Sequence, residues 1–514
     1  MIPVRRNLGD FGRIAPDRDI VVAALGEGRA QLVWTRIVAD TETPVSAMLK
    51  LGAAQSGSFL LESVEGGQVR GRYSLLGLEP DLVWRATGDT SEINRDWRSD
   101  RSAFVPVAGG ALAALRGLVA EARADVPAAL PPALACLVGY IGYEAVRLVE
   151  PSVPGNAPSP LGLPDMLFVR PTLLLVFDRL KDELFIVAPI FAAADAGAAY
   201  ADAVERIEAT QARLARAQPP RAAALAALPD GSATPIVGPA RYAEMVARAK
   251  DYILAGDVFQ VVLAQRFSVD FPLPPLDLYR ALRRINPSPF LYFLDLPDFA
   301  LVGSSPEILV RVRDGDVTIR PIAGTRPRGR DAVEDAENKA SLLADAKEQA
   351  EHLMLLDLGR HDTGRVSLPG TVTVTDRAGV EFYSHVMHIV SNVRGRLDPR
   401  HDAVDALLAG FPAGTVSGAP KVRAMQVIAE LEPEARGAYA GGVGYFSPDG
   451  SMDSCIVLRT AVVKDGVMHV QAGAGIVADS IAEYEQRECE AKAGALMAAA
   501  REALQAAAAP DFGQ

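Results

Sequence analysis

Hydrophobic and polar positions change their period along the chain, and the changes outline its elements. TLLLVF (172–177) and ELFIVA (183–188) are short apolar runs around a polar turn at Asp178 to Asp182, which predicts a β-hairpin. Residues 55–86 also read as strands and turns. Between Ala198 and Ala217, Val204, Ile207, Gln211 and Leu214 fall on one face of a helix. Pro239 sits where a first helical turn tolerates proline. Tyr242, Met245, Val246, Ala249 and Ile253 then recur at helical spacing as far as Gly256. Strands are expected at 258–267, 290–296, 299–303, 308–313, 317–322, 371–376, 386–393, 456–463 and 467–471. Helices are expected from Asp335 to Leu356, over 420–431 and over 482–508. The strands pair mostly as hairpins, which favours an α+β class with antiparallel sheets over a doubly wound parallel fold.

Gln218 to Gly238 (QPPRAAALAALPDGSATPIVG) has four prolines, small residues and no sustained helical period. It reads as a linker, giving an expected organisation of 1–217, a linker at 218–238 and a second region over 239–508.

Composition narrows the function classes. The chain has 514 residues, 49% of them hydrophobic and 23% charged, with a net charge of −12. That excess of acid argues against general binding to nucleic acid or an anionic membrane. Cys136, Cys455 and Cys489 lie far apart and form no CxxC pair, as suits a reducing compartment. Met1 to Asp10 lacks the apolar core of a secretory signal. The longest apolar run, Leu134 to Tyr143, falls well short of the roughly 20 residues of a membrane span and reads as a buried strand. A cytoplasmic location is expected.

Candidate chemistry lies in the second region. Glu348 and Glu351 are three apart in KEQAEHLM, and Glu485 and Glu488 are three apart in EYEQRECEAK. Each pair shares a helix face. Facing pairs would repel unless a cation such as Mg²⁺ sat between them; otherwise they are ordinary solvated carboxylates. AGTVSGAPK (413–421) and QAGAGIVAD (471–479) are small-residue loops suited either to tight turns or to anion contact. Glu307 follows a strand, and His388 lies inside the apolar HVMHIVS, as a base or a core residue. Arg459 is a cation inside the apolar IVLRT, and needs either a structural partner or a carboxylate ligand. GxSxG, HExxH and P-loop motifs are absent. These residues alone indicate an enzyme acting on an anionic small molecule.

PIAGTRPRG (321–329), EQAEHLMLLDLGR (348–360), SHVMHIVS (384–391), AGTVSGAPK, GGVGYFSPDGSMDSCIVLRT (441–460) and QAGAGIVADS occur in this order. Together they resemble the chorismate-utilising enzymes, and within that family the anthranilate synthase component I branch. The likeness is dense over about 239–500, with a second match at LLESVEGGQVRGRYS (60–74). It implies the chorismate-binding enzyme fold, with antiparallel sheets packed as a sandwich and flanked by helices. It also implies conversion of chorismate and ammonia to anthranilate and pyruvate. Mg²⁺ would be held by Glu348, Glu351, Glu485 and Glu488. Glu307 matches the acid that protonates the departing C4 hydroxyl, and His388 the candidate base for the C2 proton. Substrate contacts are implied at Ala323, Gly324, Thr325, Thr415, Tyr445, Arg459, Gly473, Ala474, Gly475 and Lys492.

Related isochorismate and salicylate synthases have a water-activating lysine where this chain has Gln260, which leaves ammonia as the nucleophile. Feedback L-tryptophan is implied at Glu62 and Ser63, and at Asn286, Pro287, Ser288, Pro289, Phe290, Leu291 and Tyr292. After the final helix there is no room for a glutaminase and no GxCxGxQ motif occurs, so a separate glutamine amidotransferase subunit and a hetero-oligomer are expected. The family's other branch, aminodeoxychorismate synthase component I, has PIKGT with a nucleophilic lysine. Here the motif is Pro321-Ile322-Ala323-Gly324-Thr325, which favours the first branch. An inactive homologue that only binds tryptophan or a glutaminase is the remaining alternative. Four positions depart from the family's pattern: His361 for the usual Asn, Ile481 and Ala482 for an acidic–proline pair, and Gln426 for Glu.

Overall fold

The structure, a computed structural model, describes residues 11–52, 56–65, 69–155, 157–191, 193–218, 233–383 and 386–508. The long apolar runs pair as antiparallel strands, and one hydrogen-bonded network joins nearly all of them. The strand Met166–Asp178 is the hinge of this network. One edge pairs with Tyr73–Thr87 along almost its whole length. Its other edge is shared by Glu183–Ile190 and Leu137–Ile141.

Two arms lead away from that hinge. One passes from Tyr73–Thr87 through Phe59–Glu62, Phe290–Leu296, Phe299–Ser305, Thr460–Lys464 and Val467–Ile476 to Gln260–Asp270. The other passes from Leu137–Ile141 through Gly442–Phe446, Met452–Ile456, Ile308–Arg313 and Asp316–Ile319 to Val386–Arg396. Strands from both sides of residues 218–238 therefore alternate in one sheet network. Of that expected linker, residues 219–232 lie outside the described residues.

Side-chain alternation sends each strand's residues to two cores, one on each face. Leu174 and Val176 join the core between the layers, with Phe185, Tyr292, Leu301 and Val457. Leu175 and Phe177 face the other way, into the core shared with the covering helices. Antiparallel layers with helices outside match the expected sandwich. The helices Ala196–Leu214, Pro239–Leu254, Pro275–Ile285 and Ala482–Ala508 bury their apolar stripes there.

Four local expectations are corrected. The single helix expected from Asp335 to Leu356 is two, Ala332–Ala344 and Ala346–Gly364. Asp345 breaks it with ψ 112°, and its carboxylate accepts from the Lys347 and Glu348 amides, which caps the second helix. The strand expected over 456–463 is interrupted at Arg459, whose φ is +47°. The 317–322 segment is likewise two strands, Asp316–Ile319 and Ile322–Pro327. QAGAG is the end of the strand Val467–Ile476, where a loop was expected.

Candidate active site

A cavity of about 470 Å³ opens where the Ala346–Gly364 and Ala482–Ala508 helices face the strand Val467–Ile476 and the short Gly414–Ser417 helix. Glu307, Glu348, Glu351, Thr415, Arg459, Gly473, Gly475, Glu485, Glu488, Lys492 and Gln260 all line it.

The four helix carboxylates come from two directions. Glu348 meets Arg326 at 3.1 Å, and Glu488 meets Lys492 at 2.7 Å. Glu351 accepts from Gln260 Nε2 at 3.4 Å. Burial raises the pKa of Glu351, and the Glu348 charge raises it further. Glu485 is raised for the same reasons, with Glu488 as the like charge. Hard carboxylate oxygens in two repelling pairs suit Mg²⁺, which would relieve that repulsion. Among the described residues, no three His, Cys or acidic side chains converge on a point that could hold a metal ion. The carboxylate charge is met instead by Arg326, Gln260 and Lys492.

Glu307 lies between the strands Phe299–Ser305 and Ile308–Arg313, and is buried. Thr415 Oγ1 donates to its Oε2 at 3.2 Å. Burial pushes its carboxyl up to about 8, against the opposing effects of Thr415, the Ile322 backbone and Arg459. It is therefore protonated at neutral pH, as a general acid must be. Among the described residues, the Arg459 guanidinium has no hydrogen-bond or ion-pair partner. Burial lowers its pKa, and Tyr383 and Glu307 are the charges acting back on it. A cation held this way in a cavity wall has the chemistry to receive a carboxylate.

His388 lies on the strand Val386–Arg396, opposite Thr325. The neighbouring strand bulges at Gly324, where φ is +71°, a backbone that favours glycine. A Cβ there would also stand 3.1 Å from Glu348 Oε2. His388 Nδ1 is 3.0 Å from the Gly324 carbonyl and 3.1 Å from Thr325 Oγ1. A carbonyl only accepts, so Nδ1 carries the proton and Nε2 is the free acceptor. Burial, with a smaller contribution from the Arg459 charge and against the Gly324 hydrogen bond, lowers the imidazole pKa to about 4, so the ring is neutral at pH 7. His388, Ala323, Gly324 and Thr325 lie outside the cavity lining; Ala323 is buried opposite Ile389, and Thr325 is exposed.

Two expected contacts lie elsewhere. Tyr445 packs on the strand Gly442–Phe446 beside the inter-layer core, away from the cavity. Ala474 points into the helix-covered core, because alternation turns it away from Gly473 and Gly475. Two tyrosines line the cavity instead, the exposed Tyr484 and the buried Tyr439, and sequence reasoning passed over both. A Cβ at Gly473 would stand 2.8 Å from the Tyr439 hydroxyl, and one at Gly475 would stand 2.5 Å from Gln260 Nε2. Glycine here lets the strand press against both side chains. Behind Tyr439, Arg436 lies 5.5 Å from its ring centroid and forms a buried pair with Glu432 at 2.6 Å. The pattern GAYAGG carried the clue, a tyrosine just ahead of a glycine-rich strand.

A second cavity, of about 570 Å³, is lined by Ser63, Pro289 and Phe290 with Arg311, Arg313 and Arg394. Pro306 lies in the walls of both cavities. Glu62 is turned away and saturated. Tyr279 and Arg283 Nε reach its Oε2 at 2.6 and 2.9 Å, and Arg179 its Oε1 at 2.6 Å. These partners lower its pKa against the cost of burial. Asn286, Pro287, Ser288, Leu291 and Tyr292 also stand outside this lining.

The sequence pattern described as chorismate binding enzyme matches residues 75–498. Anthranilate synthase component 1 of Cereibacter sphaeroides is 54% identical over 485 residues, 93% of this chain and 95% of that one. The same component from Pseudomonas putida is 45% identical, covering 95% and 98%. Among solved structures, anthranilate synthase component I from Streptococcus pneumoniae TIGR4 superposes with a TM-score of 0.73 at 36% identity, covering 90% of this chain and 99% of that one. The menaquinone-specific isochorismate synthase of Escherichia coli shares the fold, with a TM-score of 0.70 at 19% identity over 94% and 99%.

Proposed function

The chain belongs to the chorismate binding enzyme family, and from that premise we propose that it carries out the anthranilate synthase reaction on chorismate, in the tryptophan pathway. One observation carries the reading: a buried Glu307, whose carboxyl is pushed up to about 8, and Arg459, without a hydrogen-bond or ion-pair partner among the described residues, line one cavity with Gln260, which cannot act as a base.

Arg459 takes a carboxylate of chorismate, with Tyr439 and the Gly473–Gly475 strand forming the facing wall. Ammonia adds at C2. The C4 hydroxyl departs as water, taking the proton of Glu307. His388 Nε2 then accepts the C2 proton as the C3–O bond breaks, so the ring becomes aromatic, and the enolpyruvate released takes up a solvent proton at its methylene carbon, equal to the one ammonia gives up, to become pyruvate. Glu348, Glu351, Glu485 and Glu488 would hold Mg²⁺, which when bound neutralises the carboxylate of the substrate and of the site. Ala323 offers no nucleophile and is buried in its strand pair. That favours direct attack of ammonia at C2 over the covalent route of the aminodeoxychorismate branch.

Ammonia comes from a separate glutamine amidotransferase, so the working assembly is a hetero-oligomer. L-Tryptophan inhibits from the second cavity, beside Ser63, Pro289 and Phe290. No helix among the described residues is long and apolar enough to cross a membrane, in keeping with a cytoplasmic enzyme. Incubation of the purified chain with chorismate, Mg²⁺ and ammonium tests this function. Fluorescent anthranilate is expected, and none should form when glutamine replaces ammonium.

A further inference from the structure

Arg459 is held on both flanks by groups tied to the Asn286–Tyr292 segment. Its φ of +47° lies in the left-handed region that side chains rarely adopt. Such a conformation persists only where its surroundings over-determine it. On one flank, the Arg459 carbonyl accepts from the Ser304 amide at 3.1 Å. The Ser304 hydroxyl in turn donates to the Asn286 carbonyl. On the other flank, Thr460 Oγ1 donates to the Leu458 carbonyl at 2.8 Å and stands 2.5 Å from the Tyr292 hydroxyl. Ser304, Tyr292 and Thr460 are all buried. The three strands concerned are consecutive neighbours, with Tyr292 opposite Gly303 and Gly303 opposite Thr460. The hydrogen bonds made by Asn286 and Tyr292 thus run toward the substrate cavity.

We propose that Tyr292 and Ser304 are positioning residues that fix Arg459 for the substrate carboxylate, and that a ligand beside Pro289 and Phe290 acts on the reaction by shifting this clamp. The proposal rests on the reading of Arg459 as the carboxylate receptor. Buried hydroxyls suit this role, because when one strand slides against the next each bond is lost outright, with no water to replace it. Coupling then needs only two packings of 286–292 that hold Arg459 differently.

Calorimetric titration of chorismate into the full chain in ammonium-free buffer tests the clamp, with steady-state kinetics and thermal melts alongside. Tyr292→Phe removes one hydroxyl and keeps the ring. It should raise both the chorismate Kd and KM roughly tenfold, with kcat within about threefold of the parent. Thr460→Val should do the same, while Thr460→Ser, which keeps the hydroxyl, should stay within about twofold. In the parent, tryptophan should weaken chorismate binding; in Tyr292→Phe that effect should largely vanish while tryptophan still binds. Parental chorismate affinity in both Tyr292→Phe and Thr460→Val overturns the clamp. Full tryptophan coupling in Tyr292→Phe overturns the regulatory half. If Tyr292→Phe does not fold, the contrast between Thr460→Val and Thr460→Ser decides. A parent that binds chorismate but makes no anthranilate would refute the functional reading, and the binding titrations would still judge the clamp.

Discussion

The Thr415 hydroxyl donates to Glu307 Oε2 over 3.2 Å, tying the short Gly414–Ser417 helix to the end of the strand that presents the acid. Burial raises the Glu307 pKa and this bond pulls it partway back, leaving it at about 8. The protonated form is the useful one, so turnover should fall as pH rises through about 8. Thr415→Val removes the opposing bond and should move that alkaline limb to higher pH. Glu307→Gln should lose roughly 10² to 10⁴ in kcat. A limb unmoved in Thr415→Val would separate Glu307 from the pH dependence.

The same group predicts a stability trend. Its folded pKa is raised from the ordinary 4.5 to about 8, so the folded chain holds a proton that the unfolded chain releases. Stability therefore declines as pH rises between about 4.5 and 8. Glu307→Gln lacks this penalty. Its melting temperature should pull ahead of the parent across that window, by on the order of 5 °C at the alkaline end. Differential scanning calorimetry at several pH values reads this directly, and a gap constant with pH would contradict it.

Metal dependence follows from the paired carboxylates. Chelator should abolish turnover and Mg²⁺ should restore it. Glu348→Gln or Glu488→Gln should raise the Mg²⁺ concentration needed for half-maximal activity by roughly tenfold or more, as loss of a carboxylate ligand does. Full activity in excess chelator would remove the metal from the account.

Much of this site is legible in the sequence because its carboxylates sit three apart on long helices. Residues at that spacing share a helix face, and all four glutamates reach one cavity. What the sequence hides is tertiary. Asp345 splits a continuous helical pattern because its carboxylate caps the next helix and pairs with Arg326 at 2.6 Å. Arg459 stands at a strand break fixed by partners distant in the chain, Ser304 among them. Tyr445 and Tyr439 are equally plausible as text; only sheet alternation and the close approach of Gly473 select Tyr439. Glu62 looks like a ligand contact until Arg179, Arg283 and Tyr279 are seen to enclose it.

Feedback control should depend on the second cavity. Ser63 lines it while Glu62 does not. A Ser63→Phe variant should weaken tryptophan inhibition by roughly tenfold or more, the scale of one disrupted coupling, with uninhibited turnover close to that of the parent. Inhibition curves for the two proteins check this. Wild-type sensitivity in Ser63→Phe would place the inhibitor elsewhere.

The central claim is that ammonia attacks C2 of chorismate directly, in a cavity lined by glutamine at position 260, with a buried alanine outside that lining at position 323. Product identification from the purified chain with chorismate, Mg²⁺ and ammonium, combined with intact-protein mass spectrometry, tests it most directly. The account predicts ortho-aminobenzoate and pyruvate in equal amounts, with the mass of the chain unchanged. Accumulation of 4-amino-4-deoxychorismate, or a stable mass increment on the chain, would contradict it.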